Sequence, residues 1–296
     1  MIWLVAWRIS RWLPATALTA LIDRLTPVAL RRGVIPSEHL RRNLTAVLGE
    51  LPADELNELV VRNVRSYGRY WREVFQLSRP RGRRLLQQVV VTEPQVLRDA
   101  VARGHGVVLA LPHMANWDLA GAWTAQYYRV TTVAEQVSPA KLYERFCAMR
   151  EKLGMRVIPL GAGMETLSLL RQALEANGLV ALVADRVVSG TAGVSVSFAG
   201  QHAQVPAGPA TLAYQTGAAL IPVGLHYEGA RMCITFLPEV AIDSEQPRRD
   251  EVGRATQELA NAFASVIREH PQDWRALQPV VTNDASSPEP SRQKAM

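Results

Sequence analysis

The stretch Gly106-Val-Val-Leu-Ala-Leu-Pro-His-Met-Ala-Asn-Trp-Asp118 decides how this chain folds. Gly106 to Leu111 is an unbroken apolar run, the signature of a strand buried on both faces of a parallel sheet. Pro112 cannot donate to a strand ladder and ends it. A helix begins near Asn116, so the piece reads strand, loop, helix, with His113 in the loop.

The same texture recurs on either side. Short β-rich runs occupy Gln88 to Val91, Val130 to Ala134, Val157 to Leu160, Leu179 to Ala184, Val194 to Phe198, Leu220 to Leu225 and Met232 to Val240. Helical periodicity fills Pro139 to Leu153, Met164 to Asn177 and Glu251 to Glu269. Strand and helix in alternation predict an α/β fold with a largely parallel central sheet flanked by helices. Before it lies a helical N-terminal segment. Asp54 to Leu77 repeats apolar and aromatic residues at three- and four-residue steps, with its aromatics expected to face the core. Residues 1–282 are read as a single domain and 283–296, polar and with two prolines, as a disordered tail.

Residues 1–30 carry Trp3, Trp7 and Trp12 interleaved with Arg8 and Arg11. Charges interrupt the stretch well short of the roughly 20 apolar residues that a spanning helix needs. It is read as an amphipathic segment lying on a membrane surface, tryptophans at headgroup level and arginines toward anionic lipid. The excess of 33 Lys and Arg over 27 Asp and Glu, a formal charge of +6, suits an anionic partner without naming one. Cys147 and Cys233 lack CxxC spacing, which argues for neither a disulfide framework nor a structural zinc.

Candidate chemistry gathers at strand ends, where functional groups collect in parallel sheets. His113 suits a general base. Asp118, five residues on, and Asp185, at the end of the run Leu179 to Ala184, can each orient it. Arg186 can hold a phosphate or stabilise developing negative charge. Gly208 and Pro209 open a helix whose free N–H groups can bind an oxyanion or phosphate. Asn116 is a further substrate contact within the His113 block. No G-x-S-x-G elbow, Walker loop or dinucleotide fingerprint occurs. The six histidines show no metal-ligand spacing, and no metal is expected. Aromatics make up 6% of the chain and do not alternate with basic residues, so no nucleic-acid partner is expected.

Taken together, PHMANWD at 112–118 resembles the H-x4-D block of glycerolipid acyltransferases and, more closely, of bacterial lipid A late acyltransferases. VADRVVSGTAGVSVSFAGQHAQVPAGPATLA resembles a second block of that family. SYGRYWREVF at 66–75, TTVAEQVSPAKLYERF at 131–146 and HPQDWRALQP at 270–279 look like the actinobacterial phosphatidylinositol mannoside branch. The resemblance implies O-acyl transfer from acyl-CoA to a mannose hydroxyl, with His113 as base, no bound cofactor, and a peripheral position on the cytoplasmic face of the inner or plasma membrane. It also implies Glu135 and Arg150 as acceptor-site or structural polar groups. That branch has Glu where this chain has Asp185. The shorter side chain shifts weight to Asp118 as the partner of His113. Two other readings stay open: transfer to another membrane glycolipid, and a catalytically silent lipid-binding protein.

Overall fold

The computed structural model describes residues 15–77, 79, 82–136, 139–160, 164–187 and 193–281. Trp3, Trp7, Trp12, Arg8 and Arg11, and the tail from 283 onward, lie outside these residues.

The described residues open with three helices: α1 (Ala15–Arg31), α2 (Glu38–Leu48) and α3 (Ala53–Leu77). They are followed by α4 (Arg83–Leu86), β1 (Val89–Thr92), α5 (Pro94–Ala102), β2 (Val107–Leu111), α6 (Trp117–Thr124), β3 (Val130–Ala134) and α7 (Ala140–Lys152). Next are β4 (Met155–Pro159), α8 (Met164–Glu175), β5 (Leu179–Val183), β6 (Gly193–Phe198), β7 (Gln201–Pro206) and α9 (Gly208–Thr216). The last described elements are β8 (Ala219–Glu228), β9 (Arg231–Phe236), α10 (Arg248–Glu269) and a short 3₁₀ turn, Pro271–Asp273.

Seven strands form the central sheet in the order β1-β9-β8-β2-β5-β3-β4. All neighbours are parallel except β8 and β9, an antiparallel hairpin. The expected α/β architecture is therefore present. β2 lies in the middle, and all five of its residues are buried. Complete burial of a Val or Leu side chain stabilises by about 1.5–3 kcal/mol, so this strand anchors the core.

Two expectations change. The run Val194 to Phe198 does not join the central sheet: β6 pairs with β7 in a separate antiparallel hairpin. The reason lies in the two residues between them. Ala199 and Gly200 take φ of 55° and 87°, the left-handed pair of a tight hairpin turn, so the strand folds back on its successor. The strand read as Met232 to Val240 stops at Phe236, before Pro238, and only an isolated bridge from Leu220 holds Val240.

The first helices position the end of the chain. Asn43 of α2 donates to the carbonyls of Ala276 and Gln278, at 2.9 and 2.7 Å, and accepts from the amide of Val280. Asn63 of α3 donates to the carbonyls of Pro271 and Trp274. Both asparagines are buried, so these bonds are made away from competing water. They fix residues 271–280 as a strap along the loop after β2. His113 accepts from the amide of Arg275, and the amide of Ala115 donates to the carbonyl of Asp273. Between those two bonds, Met114 bridges Trp274.

Candidate active site

His113 and Asp185 meet because of strand register. Leu111 of β2 pairs with Val183 of the parallel strand β5, so the residues two positions further on emerge side by side. The His113 Nδ1 lies 2.5 Å from the Asp185 Oδ1. The other carboxylate oxygen accepts from the His113 backbone amide at 3.1 Å and from the Trp274 indole at 2.9 Å. Burial pushes the Asp185 pKa up, but His113 and the Trp274 N–H pull it down further, to about 2. An ionised Asp185 fixes the Nδ1–H tautomer of His113 and leaves Nε2 with its lone pair.

Asp118 does something else. Its Oδ2 accepts from the Tyr70 hydroxyl at 2.9 Å, and its Oδ1 accepts from the Arg150 Nε at 2.6 Å. The carboxylate is buried and both its oxygens are engaged. The expectation that Asp118 takes the larger share in orienting His113 is thus corrected: the ring hydrogen-bonds to Asp185, short side chain included. Helix α6 presents Asp118 to Tyr70 of α3 and Arg150 of α7. Burial works against the charge on Arg150, and Asp118 more than restores it, raising its pKa. Burial and then Asp118 raise the pKa of Tyr70, which keeps its proton and donates.

Asn116 caps α6, its side-chain oxygen accepting from the Leu119 amide. Its amide nitrogen donates to Glu73, which also accepts from Arg69 and the Tyr227 hydroxyl. Fully buried and committed on both sides, Asn116 supports the loop; this corrects its reading as a substrate contact. Ala115, just before it, holds φ of 42°, a left-handed conformation costing about 1–3 kcal/mol that the surrounding bonds must offset.

A cavity of about 720 Å³ opens beside His113. That is at the upper end of the roughly 300–1,000 Å³ usual for ligand pockets. Alternate residues of three strands form one wall: Leu109 and Leu111, Ala181 and Val183, Val130 and Thr132. Val130 pairs with Leu179 and Leu179 with Val107, six positions before His113. At about 3.3 Å per residue the cavity therefore runs some 20 Å down the sheet. Glu135, exposed at the end of β3, and Arg186, Gly208 and Pro209 line it, as do Asp118 and Arg150. Arg186 donates to the Gln278 side chain.

Several lining residues were not singled out from the sequence. Tyr67, Tyr70 and Trp71 pack on the core as expected, yet they also line the cavity. Arg275 lies with its guanidinium 3.7 Å from the Tyr70 ring centroid and 4.1 Å from that of Trp117. It donates through Nη2 to the Ala115 carbonyl, while Nη1 is buried with no partner among the described residues. The signal for these groups lay in the spacing Tyr67, Tyr70, Trp71, one helical face, and in the lone Arg within Trp274-Arg275.

Among the described residues, no helix is long and apolar enough to cross a membrane. Among the described residues, four of the five exposed large apolar side chains, Leu21, Leu25, Val28 and Val34, lie on α1 or just after it.

The chain is similar to known proteins over nearly its whole length. A phosphatidylinositol mannoside acyltransferase of Mycolicibacterium smegmatis is 40% identical over 282 residues, covering 95% of this chain and 90% of that protein. One from Mycobacterium tuberculosis is 41% identical over 284 residues, covering 95% and 87%. The model of the bacterial lipid A biosynthesis acyltransferases matches residues 1–280. With its strand-end histidine and carboxylate at the mouth of a long apolar cavity, the chain belongs to the bacterial lipid A biosynthesis acyltransferase family.

Proposed function

We propose that this acyltransferase moves a fatty acyl group from acyl-CoA to a mannose hydroxyl of phosphatidylinositol mannoside. The observation that carries the reading is the His113–Asp185 pair, 2.5 Å apart, at the mouth of an apolar cavity about 20 Å deep. A thioester's acyl chain fills such a cavity and places its carbonyl near the histidine. The 40% identity to the mannoside enzymes supports the choice of acceptor.

The chemistry then follows from the free ring nitrogen. His113 Nε2 takes the proton of the mannose hydroxyl as the oxygen attacks the thioester carbonyl. The tetrahedral intermediate collapses, the C–S bond breaks, and the proton on Nε2 passes to the departing sulfur. Asp185 balances the transient imidazolium charge throughout. Arg275, with a buried N–H to offer, and the Gly208 amide at the start of α9, where Pro209 has none, are the groups that donate to oxygens of the reacting molecules. The apolar residues along α1 rest the protein on the cytoplasmic face of the membrane that holds the glycolipid.

The test is transfer from palmitoyl-CoA to purified phosphatidylinositol mannoside, beside unmannosylated phosphatidylinositol and a lipid A precursor. Transfer to the mannoside alone, abolished in His113→Ala, is the expected result. Transfer to another acceptor only would replace the substrate while keeping the mechanism. Lipid binding without turnover of any thioester would mean a silent binder.

A further inference from the structure

On the far side of β8 from the cavity's chemistry, a second group of reactive side chains comes together at the end of the β8–β9 hairpin. His226 and Cys233 are directly paired across the two antiparallel strands. Glu228 stands two positions beyond His226, so its side chain leaves the same face of the sheet. The ligand atoms of these three residues all lie within 4.8 Å of one another. His226 Nε2 is 3.3 Å from Glu228 Oε1. Two ligands each about 2.0–2.2 Å from a tetrahedral zinc ion stand close to that same distance apart.

We propose that His226, Glu228 and Cys233 form a zinc site, with water completing the tetrahedron. One imidazole, one carboxylate and one thiolate are a donor set that Zn²⁺ favours and that Mg²⁺ and Ca²⁺ do not. Binding converts the Cys233 thiol to a thiolate and releases its proton to solvent, while the zinc keeps its charge and oxidation state. His270 stacks on His226, ring centroids 3.6 Å apart and planes within 3°, which holds the His226 ring in place. Arg231 sits opposite Glu228 in the register but forms no ion pair with it among the described residues, so the carboxylate stays with His226. The thiol is the buried member and the carboxylate the exposed one, so an ion enters from solvent and meets its softest ligand last.

The site is tied to the active site through one residue. Tyr227, between His226 and Glu228, donates its hydroxyl to Glu73 and its amide to Asp273 at the start of the strap. A metal clamp on the hairpin therefore braces the residues that hold Asn116 and Trp274. The proposal stands whether or not the proposed acyl transfer does.

The full-length, tag-free protein, stripped with a chelator and kept reduced, is titrated with Co²⁺ as a spectroscopic stand-in for Zn²⁺. The expected result is one Co²⁺ per chain, with a thiolate-to-cobalt charge-transfer band and the visible bands of a tetrahedral ion, both displaced by Zn²⁺. Cys233→Ser removes the charge-transfer band, whereas Cys147→Ser leaves it. The exposed Glu228→Gln, which the fold tolerates, weakens binding about tenfold or more. Zn²⁺ should also raise the melting temperature of the wild-type chain and not that of Cys233→Ser. A titration with no charge-transfer band, or a band that survives in Cys233→Ser, overturns the proposal.

Discussion

Arg150 of α7 reaches Asp118 of α6 across the interior, Nε to Oδ1 at 2.6 Å, and the pair is almost completely shielded from water. A buried ion pair that loses one member leaves an unpaired charge behind, at a cost of about 3–5 kcal/mol. Arg150→Met and Asp118→Asn are therefore expected to lower the melting temperature sharply. Arg150→Met with Asp118→Leu should recover part of that loss. Thermal unfolding of the three variants, followed by circular dichroism, checks both statements.

His113→Ala and Asp185→Asn should behave in the opposite way, losing turnover of acyl-CoA by about 10²–10⁴-fold at near-native helix content. Asp118→Asn serves as the control, since any activity it loses should track its loss of folded protein. Single-turnover rates normalised to the folded fraction separate the two carboxylates. Equal rate losses for Asp118→Asn and Asp185→Asn after that correction would contradict the pairing seen here.

These two acidic residues also show where sequence reading ends. His113 was legible because a short apolar run rich in Val and ended by Pro112 reads as an interior strand, and the C-terminal end of such a strand is a functional position. Which carboxylate faces the histidine depended on β2 pairing with β5, a register set by tertiary packing and not by spacing along the chain. The β6–β7 hairpin escaped for a smaller reason: Ala199 adopts a left-handed conformation that alanine rarely takes. Arg275 and Trp274 lie some 160 residues from the loop they touch. Their contact with that loop is made by tertiary packing, which local spacing does not encode.

Asp185 also sets an acid response. Its pKa in the folded protein, about 2, lies below the ordinary 3.8, so its contribution to stability is complete above 3.8 and is lost as pH falls through about 2. The difference in melting temperature between the wild type and Asp185→Asn should shrink across that window and stay constant from there to neutral pH. A gap that widened on acidification would reverse the sign assigned here.

Ala181 lies part-way down the cavity, level with Leu109 and Thr132. Ala181→Phe is expected to block the lower half and shift donor preference from palmitoyl-CoA toward shorter acyl-CoA thioesters. Competition assays with mixed chain lengths measure the ratio directly. An unchanged ratio in a well-folded variant would mean that the acyl chain lies elsewhere.

Arg275→Met keeps the bulk against Tyr70 and Trp117 but removes the buried N–H. A hydrogen bond from a charged donor is worth about 1.5–3 kcal/mol, so kcat/KM should fall by about one to two orders of magnitude. The split between kcat and the acceptor KM then shows whether Arg275 serves the transition state or the ground state.

The strap of residues 271–280 has a consequence for how the protein is made. Chains leave the ribosome N-terminus first, and domains take shape in that order. His113 emerges first, but the partners that hold its loop, Trp274 on Met114 and the Arg275 amide on its carbonyl, are translated some 160 residues later. A nascent chain can therefore complete the sheet and still lack the indole that steadies Asp185. Bracing of the histidine therefore waits on Trp274 and Arg275, and a chain that stops before them leaves His113 and Asp185 without those partners.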